Sequence, residues 1–323
     1  MESVHRKFNL WVFLSKRRAL ALLLLIVACV AFFSILYPAN FGTLDNFASI
    51  LLNMSGESLI IIAMAMILML GEIDLSLGAV MVFGGVLCGR LMIQSGASTV
   101  VSILIPLGVA LLLGFINGFI TTKLRIVSFI TTLATSMIYL GFAIILSGTG
   151  WTNFPDPVFT FLGKAQFLGL QLPVFYMILF FALFGVLILK TRYFRQLYYI
   201  GGNAKSAELS GINVDRTKIV IFMLASALAC LQGIFSAMRF NSALTNVGTG
   251  VELRAVTACV IGGVSFTGGT GTISGAAAGG LFIALLKNIL TMVQLSPDLQ
   301  FTVTGVILIL AIVADIFVSK KAA

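Results

Sequence analysis

Two carboxylates stand close together inside an otherwise apolar stretch of this 323-residue chain. Glu72 and Asp74 lie between Gly71 and Gly78, and long runs of aliphatic residues flank both glycines. A carboxylate held in hydrocarbon costs at least about 2.5–3.5 kcal/mol, so such a side chain must face protein or water. Glycine lets a helix unwind, which is tolerated at membrane depth where the backbone lines a cavity. The segment predicts a broken membrane helix beside a transport path, or else a solvated loop between two helices.

The elements around this segment are expected to be membrane helices. Hydrophobic residues make up 59% of the chain and the mean hydropathy is +1.12, which leaves too few polar residues to cover a soluble globule. The net charge is +9, but the basic residues are dispersed in short loops, so the positive-inside rule explains them. We therefore expect an all-α polytopic membrane protein in a lipid bilayer and no nucleic-acid partner.

Ten segments are apolar enough to be drawn as membrane spans, and most approach the roughly 20 residues that a helix needs to cross the bilayer. The eighth is the least regular, because it is short and carries Glu252 and Arg254. The predicted spans are 19–37, 47–70, 76–95, 98–120, 129–147, 173–190, 217–238, 252–266, 273–293 and 300–318.

The basic residues also predict the orientation. With ten crossings and the N-terminus inside, most of the 20 Lys and Arg residues fall on the inner side, so both termini are expected to be cytoplasmic. The apolar run after the basic N-terminus is too long for a signal peptide and predicts an uncleaved first helix. We expect a basic tail at 1–18, one transmembrane domain at 19–318 with an inner loop at 190–216, and a tail at 319–323.

The inner loop contains a short helix pattern. Asn203 is a good N-cap, the residues that follow favour a helix up to Ser210, and Gly211 is suited to end it. A short helix at the cytoplasmic surface indicates a docking element for a partner protein. From the residue types alone, an idle loop that binds no partner is an equal alternative.

Glycines near the C-terminus predict close helix packing. Gly271, Gly275 and Gly279 recur every four residues, which places small residues on one helix face. A short internal similarity also relates 71–85 to 250–263, since each has an acid near its start and a glycine pair near its end. These are the third and eighth spans, which run in opposite directions, so they would be equivalent elements of an inverted repeat.

Motifs for catalysis and cofactor binding are missing from the sequence. Gly263 and Gly268 have the spacing of a P-loop, but Gly269 stands where its lysine is required. His5 is the one histidine, and the four cysteines lie in apolar stretches without a pair spacing. We therefore expect no catalytic residues, no metal site and no cofactor bound by this chain.

Several motifs in a fixed order indicate a family. They are the acidic segment at 71–78, the motif at 114–118, the motif at 129–135, the stretch 202–212 and the glycine-rich 262–271. Together they resemble the permeases of bacterial ABC sugar importers of the ribose, xylose and arabinose type, over nearly the whole chain from about Asn46 to Asp315. Glu72 stands where that family usually has glycine, and Ala79 where it has serine, so the specificity is expected to differ from that of a ribose permease.

The resemblance implies a fold and a set of partners. The fold would have about ten helices, some broken, like the vitamin B12 permease, in the bacterial inner membrane. The partners would be a second permease subunit (identical or paralogous), two cytoplasmic ATPase subunits that use ATP and Mg, and a periplasmic sugar-binding protein. The inner loop is similar to the element that seats in the ATPase, which favours docking over an idle loop. The expected ATPase-coupling residues are Asn203, Ala207, Glu208 and Gly211.

The resemblance also implies a path that binds a hydroxyl-rich solute by hydrogen bonds. Asp74, Ser76 and Asn117 are the polar groups expected to line it, with Glu72 beside them. Each of the first three has a structural alternative. Asp74 would cap the following helix, Ser76 would bond a backbone carbonyl, and Asn117 would join two helices.

The cargo is expected to be a pentose or hexose. Within transport, a nucleoside, a polyol such as inositol, a furanosyl signalling molecule or a branched-chain amino acid are the alternatives. The last would require a helix N-terminus and countercharges. An ion-coupled secondary transporter and an intramembrane enzyme are the alternatives from other classes. Secondary candidates for path residues are Glu57, Glu252 with Arg254, and Lys287.

Overall fold

The computed structural model describes residues 18–148 and 150–322, most of them helical. In chain order the helices are α1 (Arg18–Leu36), α2 (Leu44–Ser55), α3 (Ser58–Met69), α4 (Leu77–Gly89), α5 (Thr99–Lys123), α6 (Ser128–Ser147), α7 (Pro157–Lys164), α8 (Leu172–Lys190), α9 (Arg192–Gly202), α10 (Ala204–Leu209), α11 (Val214–Phe240), α12 (Val251–Ile261), α13 (Ile273–Met292) and α14 (Pro297–Ala322). A π-helical turn, Arg90–Gln94, continues α4. Two-residue strands pair antiparallel as β1 (Trp151–Thr152) with β4 (Ser242–Ala243), and β2 (Gln166–Phe167) with β3 (Leu170–Gln171).

The helices confirm an all-α polytopic membrane protein. Across the described residues, six helices are individually long and apolar enough to cross a membrane, namely α4 with its π-turn, α5, α6, α8, α11 and α13. The pair α2–α3 makes a seventh if its two halves, bent by 49°, count as one span. Shorter apolar helices lie at Ala21–Leu36 and Asp298–Val313. The predicted eighth span, 252–266, is only an 11-residue helix, α12, so length alone supports fewer than ten crossings.

The bend between α2 and α3 is stabilised by a side chain from α11. The two helices meet at Gly56 and Glu57. Because the helix is interrupted there, backbone groups at the two helix ends lack the partners that a continuous helix would give them. Gln232 replaces those partners, since its Oε1 accepts from the Leu59 amide at 3.0 Å and its Nε2 donates to the Ser55 carbonyl at 3.2 Å. The break is therefore a built feature of the fold, with its buried polar groups satisfied.

Helix α11 is the centre of the bundle and packs against α3, α4 and α5. Glycines allow the backbones to approach closely, because an added Cβ at Gly84 would collide with Cys230 and one at Gly114 would collide with the Phe222 carbonyl. On the other side of the bundle α13 packs against α12 in the same way. There a Cβ at Gly275 would meet the Gly262 carbonyl, and one at Gly279 would meet the Ala258 carbonyl.

Gly271 lies in the loop before α13 and not on the helix with Gly275 and Gly279. It has φ +142° and packs against Val264. The two halves of the predicted repeat also differ in structure. The chain after Gly71 stays non-helical until Leu77, whereas α12 begins directly after Gly250.

The segment before α7 is tied to the start of α5. Asp156 is the N-cap of α7 and accepts from the Val158 amide at 2.8 Å, while the Thr99 hydroxyl donates to its second oxygen. The bond from Thr99 and the bond from Val158 hold the pKa of the Asp156 carboxyl below its ordinary value. Both contacts favour the ionised form, so they weaken as the pH falls through that lowered pKa.

The sequence predicts a tail at each end of the chain. Of the tail at 1–18, all but its last residue lies outside the described residues. Helix α14 continues through Ala322, so most of the segment 319–323 belongs to the last helix.

Candidate functional site

The segment between α3 and α4 is an irregular, non-helical stretch of backbone. It begins after Met69, turns at Gly71 with φ +76°, and stays non-helical until α4 begins at Leu77. Side chains of α6 take the place of helical hydrogen bonds. The Ile73 amide donates to Ser128 Oγ at 3.2 Å and the Leu75 amide donates to Thr132 Oγ1 at 3.0 Å. The acidic segment is therefore a break that α6 holds in place, as the glycines and acids predict.

Asp74 is the end of a chain of buried hydrogen bonds. Its Oδ1 accepts from the Ser76 amide at 2.8 Å and from Ser76 Oγ at 2.6 Å. Ser76 Oγ accepts from Asn117 Nδ2 at 2.8 Å, and Asn117 Oδ1 accepts from the Tyr139 hydroxyl at 3.1 Å. Asp74, Ser76 and Asn117 have no exposed surface. This chain of hydrogen bonds joins the break to Asn117 on α5 and to Tyr139 on α6.

Three of the four predicted path residues are thus brought together. Asp74 and Asn117 make contacts of the kind that their structural alternatives describe, whereas the Ser76 hydroxyl donates to the Asp74 carboxylate and not to a backbone carbonyl. Asp74 bonds the turn that starts α4, and Asn117 links two elements. Ser128, Thr132 and Tyr139 complete the network and were not predicted. Their spacing on α6 gives a signal, since these polar residues recur there at intervals of one or two helical turns in apolar sequence.

Glu72 is not part of this network. Its carboxylate pairs with Lys218 near the start of α11, and the two side chains are largely buried. A second ion pair joins Lys123 at the end of α5 to Asp215, at 2.7 Å, in the first turn of α11. Glu72 therefore ties the break to the helix that follows the inner loop.

The inner loop 190–216 contains two helices, where the sequence predicted one. The predicted helix is α10, capped by Asn203, whose Oδ1 accepts from the Ser206 amide at 2.9 Å. Gly211 follows it with φ +85°. Helix α9 was missed because it is rich in aromatic and basic residues, and it buries only Leu197 and Ile200.

The coupling residues on α10 face in different directions. Ala207 is buried against the bundle, so it positions the helix. Glu208 points outward and pairs with Lys205 at 2.9 Å. Leu209, which the sequence did not single out, is 80% exposed. A bare leucine beside a charged pair is the most prominent apolar contact point that α10 offers to a partner.

Three chain breaks meet where α9 ends. The Gly269 amide donates to the Met69 carbonyl at 3.0 Å, and a Cβ at Gly201 would collide with both groups. A Cβ at Gly268 would lie 2.7 Å from the Cα of Gly71. We call Gly71, Gly201, Gly268 and Gly269 the glycine junction. It places the inner loop in backbone contact with both the acidic break and the loop after α12.

Across residues 18–148 and 150–322, no three His, Cys, Asp or Glu side chains converge as a metal site requires. The described polar groups instead form hydrogen-bond networks and ion pairs between helices. Such an arrangement can hold and move helices and can bind a solute by hydrogen bonds.

Comparison with known proteins places this architecture in a family. Residues 46–312 match the family described as "Branched-chain amino acid transport system / permease component". The chain is 35% identical to the L-arabinose transport system permease protein AraH of Escherichia coli K12, over 92% of this chain and 88% of that protein. It is 33% identical to the ribose import permease protein RbsC of the same strain, over 96% of both chains. For the ribose import permease protein RbsC of Bacillus subtilis, the identity is 35% over 87% and 88%.

No solved structure matches the chain. The family match covers most of the residues, and the relatives are matched along nearly their whole lengths. This chain therefore belongs to the permease-component family of the branched-chain amino acid transport system type, in which it is similar to arabinose and ribose permeases over most of its length.

Proposed function

We propose that this chain is the membrane-spanning permease subunit of an ATP-driven importer that carries a monosaccharide, a pentose or hexose. The supporting observation is its similarity to arabinose and ribose permeases over 88–96% of their lengths. The chain itself binds no ATP in this proposal. ATP and Mg are used by cytoplasmic ABC ATPase subunits, and a periplasmic binding protein delivers the sugar.

The proposed architecture in the inner membrane has ten passages and a fold of the vitamin B12 permease type. Six long helices, the bent pair α2–α3 and the terminal helices α1 and α14 supply nine of the passages. Helix α12, with the loop that follows it, supplies the tenth. A second permease subunit, identical or paralogous, completes the transporter. The possible inverted repeat belongs to the same proposal.

The proposed roles of the predicted residues follow from their contacts. Asp74, Ser76 and Asn117 support the path from within the protein by holding the acidic break in place, and Glu72 links that break to α11. Helix α10 is positioned by Asn203, Ala207 and Gly211. It docks in the ATPase and presents Glu208 to it. In this arrangement, a movement of the docked loop reaches the break through the glycine junction and through the pair of Glu72 with Lys218.

The orientation is tested by two matched lysine replacements. Lys164→Cys lies at the end of α7 and Lys205→Cys lies on α10, and both lysines are exposed. In intact cells, an impermeant thiol reagent is expected to label Lys164→Cys. It is expected to label Lys205→Cys only after the membrane has been permeabilised. The background is a variant without the four native cysteines. The reverse labelling pattern would place both termini outside.

The function is tested by transport in proteoliposomes. We expect the permease, assembled with the ATPase and binding protein encoded beside it, to accumulate radiolabelled L-arabinose or D-ribose when ATP is present on the ATPase side. A catalytically dead ATPase is the control, and uptake with it is expected to fall to background. Uptake that continues without ATP and stops with an ionophore would instead identify a secondary transporter.

Competition in the same assay tests the cargo class. Unlabelled pentoses and hexoses are expected to compete with the labelled sugar, and leucine is not. Leucine is included because branched-chain amino acids appear in the description of the family. A nucleoside or inositol that competes better than every monosaccharide would move the cargo to one of those classes.

A further inference from the structure

A cleft of about 240 Å³ opens in the bundle, and its lining includes no residue of the Asp74 network. Its walls come from α2, α3, α12, α13 and α14. The bend between α2 and α3 brings Glu57 to this cleft, and the first turn of α12 brings Arg254. The cleft therefore lies beside the bend between α2 and α3 and the start of α12.

Three charged side chains line this cleft, one each from the bend between α2 and α3, from α12 and from α13. Glu57 Oε1 accepts from Arg254 Nε at 2.8 Å, and each side chain is 19% exposed. Arg254 Nη1 also donates to the Thr249 carbonyl at 3.0 Å. Lys287 on α13 is exposed at the cleft, and among the described residues its ammonium has no hydrogen-bond or ion-pair partner. The sequence separates these residues by up to 230 positions, and the fold brings them together.

Charges on membrane helices indicate that the cleft is filled with water. An ammonium or guanidinium facing hydrocarbon costs at least about 2.5–3.5 kcal/mol, so such groups face an aqueous cavity or the bundle interior. The cleft volume of about 240 Å³ is far above the ~10–15 Å³ that one water requires. It is also smaller than the ~300–1,000 Å³ of sites for drug-sized ligands, which suits a smaller solute.

The polar groups of the cleft offer donors and acceptors in matched pairs. Glu57 and Arg254 neutralise each other and still present a carboxylate and a guanidinium, and Asn53 carries an exposed amide. Gln300 offers its Oε1 as an acceptor, since its Nε2 donates to the Leu295 carbonyl at 2.9 Å and to Thr291 Oγ1 at 3.3 Å. A sugar hydroxyl both donates and accepts, so it fits such pairs without bringing charge. Phe301 adds an exposed ring to the lining, against which the C–H face of a sugar can pack.

We infer that this cleft binds the sugar during translocation, with the Glu57–Arg254 pair and the amides of Asn53 and Gln300 as its hydrogen-bonding groups. The inference rests on the proposed function and names the section of the path that contacts the cargo. The Asp74 network then positions the break and does not touch the sugar. The ligand class is a neutral polyhydroxylated solute the size of a monosaccharide.

Two threonines on α14 give a matched test. Thr304 lines the cleft, whereas Thr302 is exposed outside it, and each hydroxyl donates to the carbonyl four residues earlier. Thr304→Cys and Thr302→Cys are made separately in a transport-competent background whose native cysteines are replaced by alanine. The assembled transporter is labelled with a small water-soluble methanethiosulfonate, with and without L-arabinose or D-ribose.

A bound ligand covers most of such a site, so we expect the sugar to slow labelling at position 304 by at least about threefold. Labelling at position 302 is expected to be unchanged. Equal labelling at 304 with and without either sugar, in a transporter that carries that sugar, would overturn the inference. Galacturonate and leucine serve as charged competitors. If either of them slows labelling at position 304 and neither neutral sugar does, the cleft does not bind a neutral polyhydroxylated solute and the inference is overturned.

A second measurement tests the inference if Thr304→Cys folds poorly. Gln300→Ala is expected to lower the amount of sugar carried per ATP hydrolysed, and Thr302→Ala is expected to leave this ratio unchanged. An unchanged ratio in Gln300→Ala, together with a lack of sugar protection in Thr304→Cys, excludes the cleft from the path. If the parent transporter carries no sugar with ATP, the proposed function itself fails, which is a different result from failure of the cleft alone.

Discussion

Replacing Leu209 by Asp is expected to abolish ATP-driven uptake while the permease stays folded in the membrane. Leu209 is 80% exposed on α10, so the change disturbs no packing within the chain. At a docked surface, loss of a central apolar contact costs about 2 kcal/mol or more, and an unpaired carboxylate placed there adds its desolvation cost. We therefore expect uptake to fall at least about thirtyfold. Uptake is measured per molecule of permease in the membrane.

The control for this prediction is Leu124→Asp. Leu124 follows the end of α5, is 59% exposed and lies outside the proposed docking helix. Its replacement is expected to leave uptake within about twofold of the parent, as for most surface changes. Copurification of the ATPase reports docking directly and should be lost only in Leu209→Asp. Normal uptake and copurification in that variant would remove α10 from the docking surface.

Replacing Asp74 by Ala is expected to lower the stability of the permease by about 3 kcal/mol, because the change leaves the Ser76 amide and hydroxyl without their acceptor in a fully buried site. Each buried group left unpaired costs roughly 1–3 kcal/mol. The turn before α4 then loses the acceptor that holds it, while Ser128, Thr132 and Asn117 keep their bonds to the break. We expect a melting temperature lower by several degrees in detergent, and little uptake.

Asp74→Asn separates the shape of this side chain from its charge. The asparagine Oδ1 can accept both bonds from Ser76, so the melting temperature is expected to stay close to that of the parent. Because the network positions the break, uptake should follow stability in both variants. Normal stability with lost uptake in Asp74→Asn would show that the carboxylate charge itself acts in transport.

Local patterns in the sequence predicted the helices well. The apolar runs gave helix positions close to those observed, and the caps at Asn203 and Gly211 predicted α10, because such signals depend on neighbouring residues. The eighth span was too long, since Gly262 ends α12 where the apolar sequence continues. Helix α9 escaped prediction because its aromatic and basic residues give no continuous apolar run.

The candidate site was predictable only where its members lie close in sequence or share a known motif. Asp74 and Ser76 are two residues apart, and Asn117 lies in the motif at 114–118 that resembles the family. Tyr139 joins them only through the packing of α6. Glu57 and Arg254 are 197 positions apart, and nothing local in either segment indicates the other. Contacts of that kind depend on which helix faces which, and local patterns of residues do not show this.

The glycine junction also limits the order in which the molecule can be assembled. Its contacts join Met69, Gly201 and Gly269, so the chain must be synthesised almost to α13 before the first break acquires its partners. Until then the carbonyl at the end of α3 and the backbone at the end of α9 lack their native neighbours. Contacts between residues so far apart form late, and the incomplete intermediate exposes surface to misfolding. The first break of a nascent permease therefore stays without its native partners during most of the synthesis of the chain.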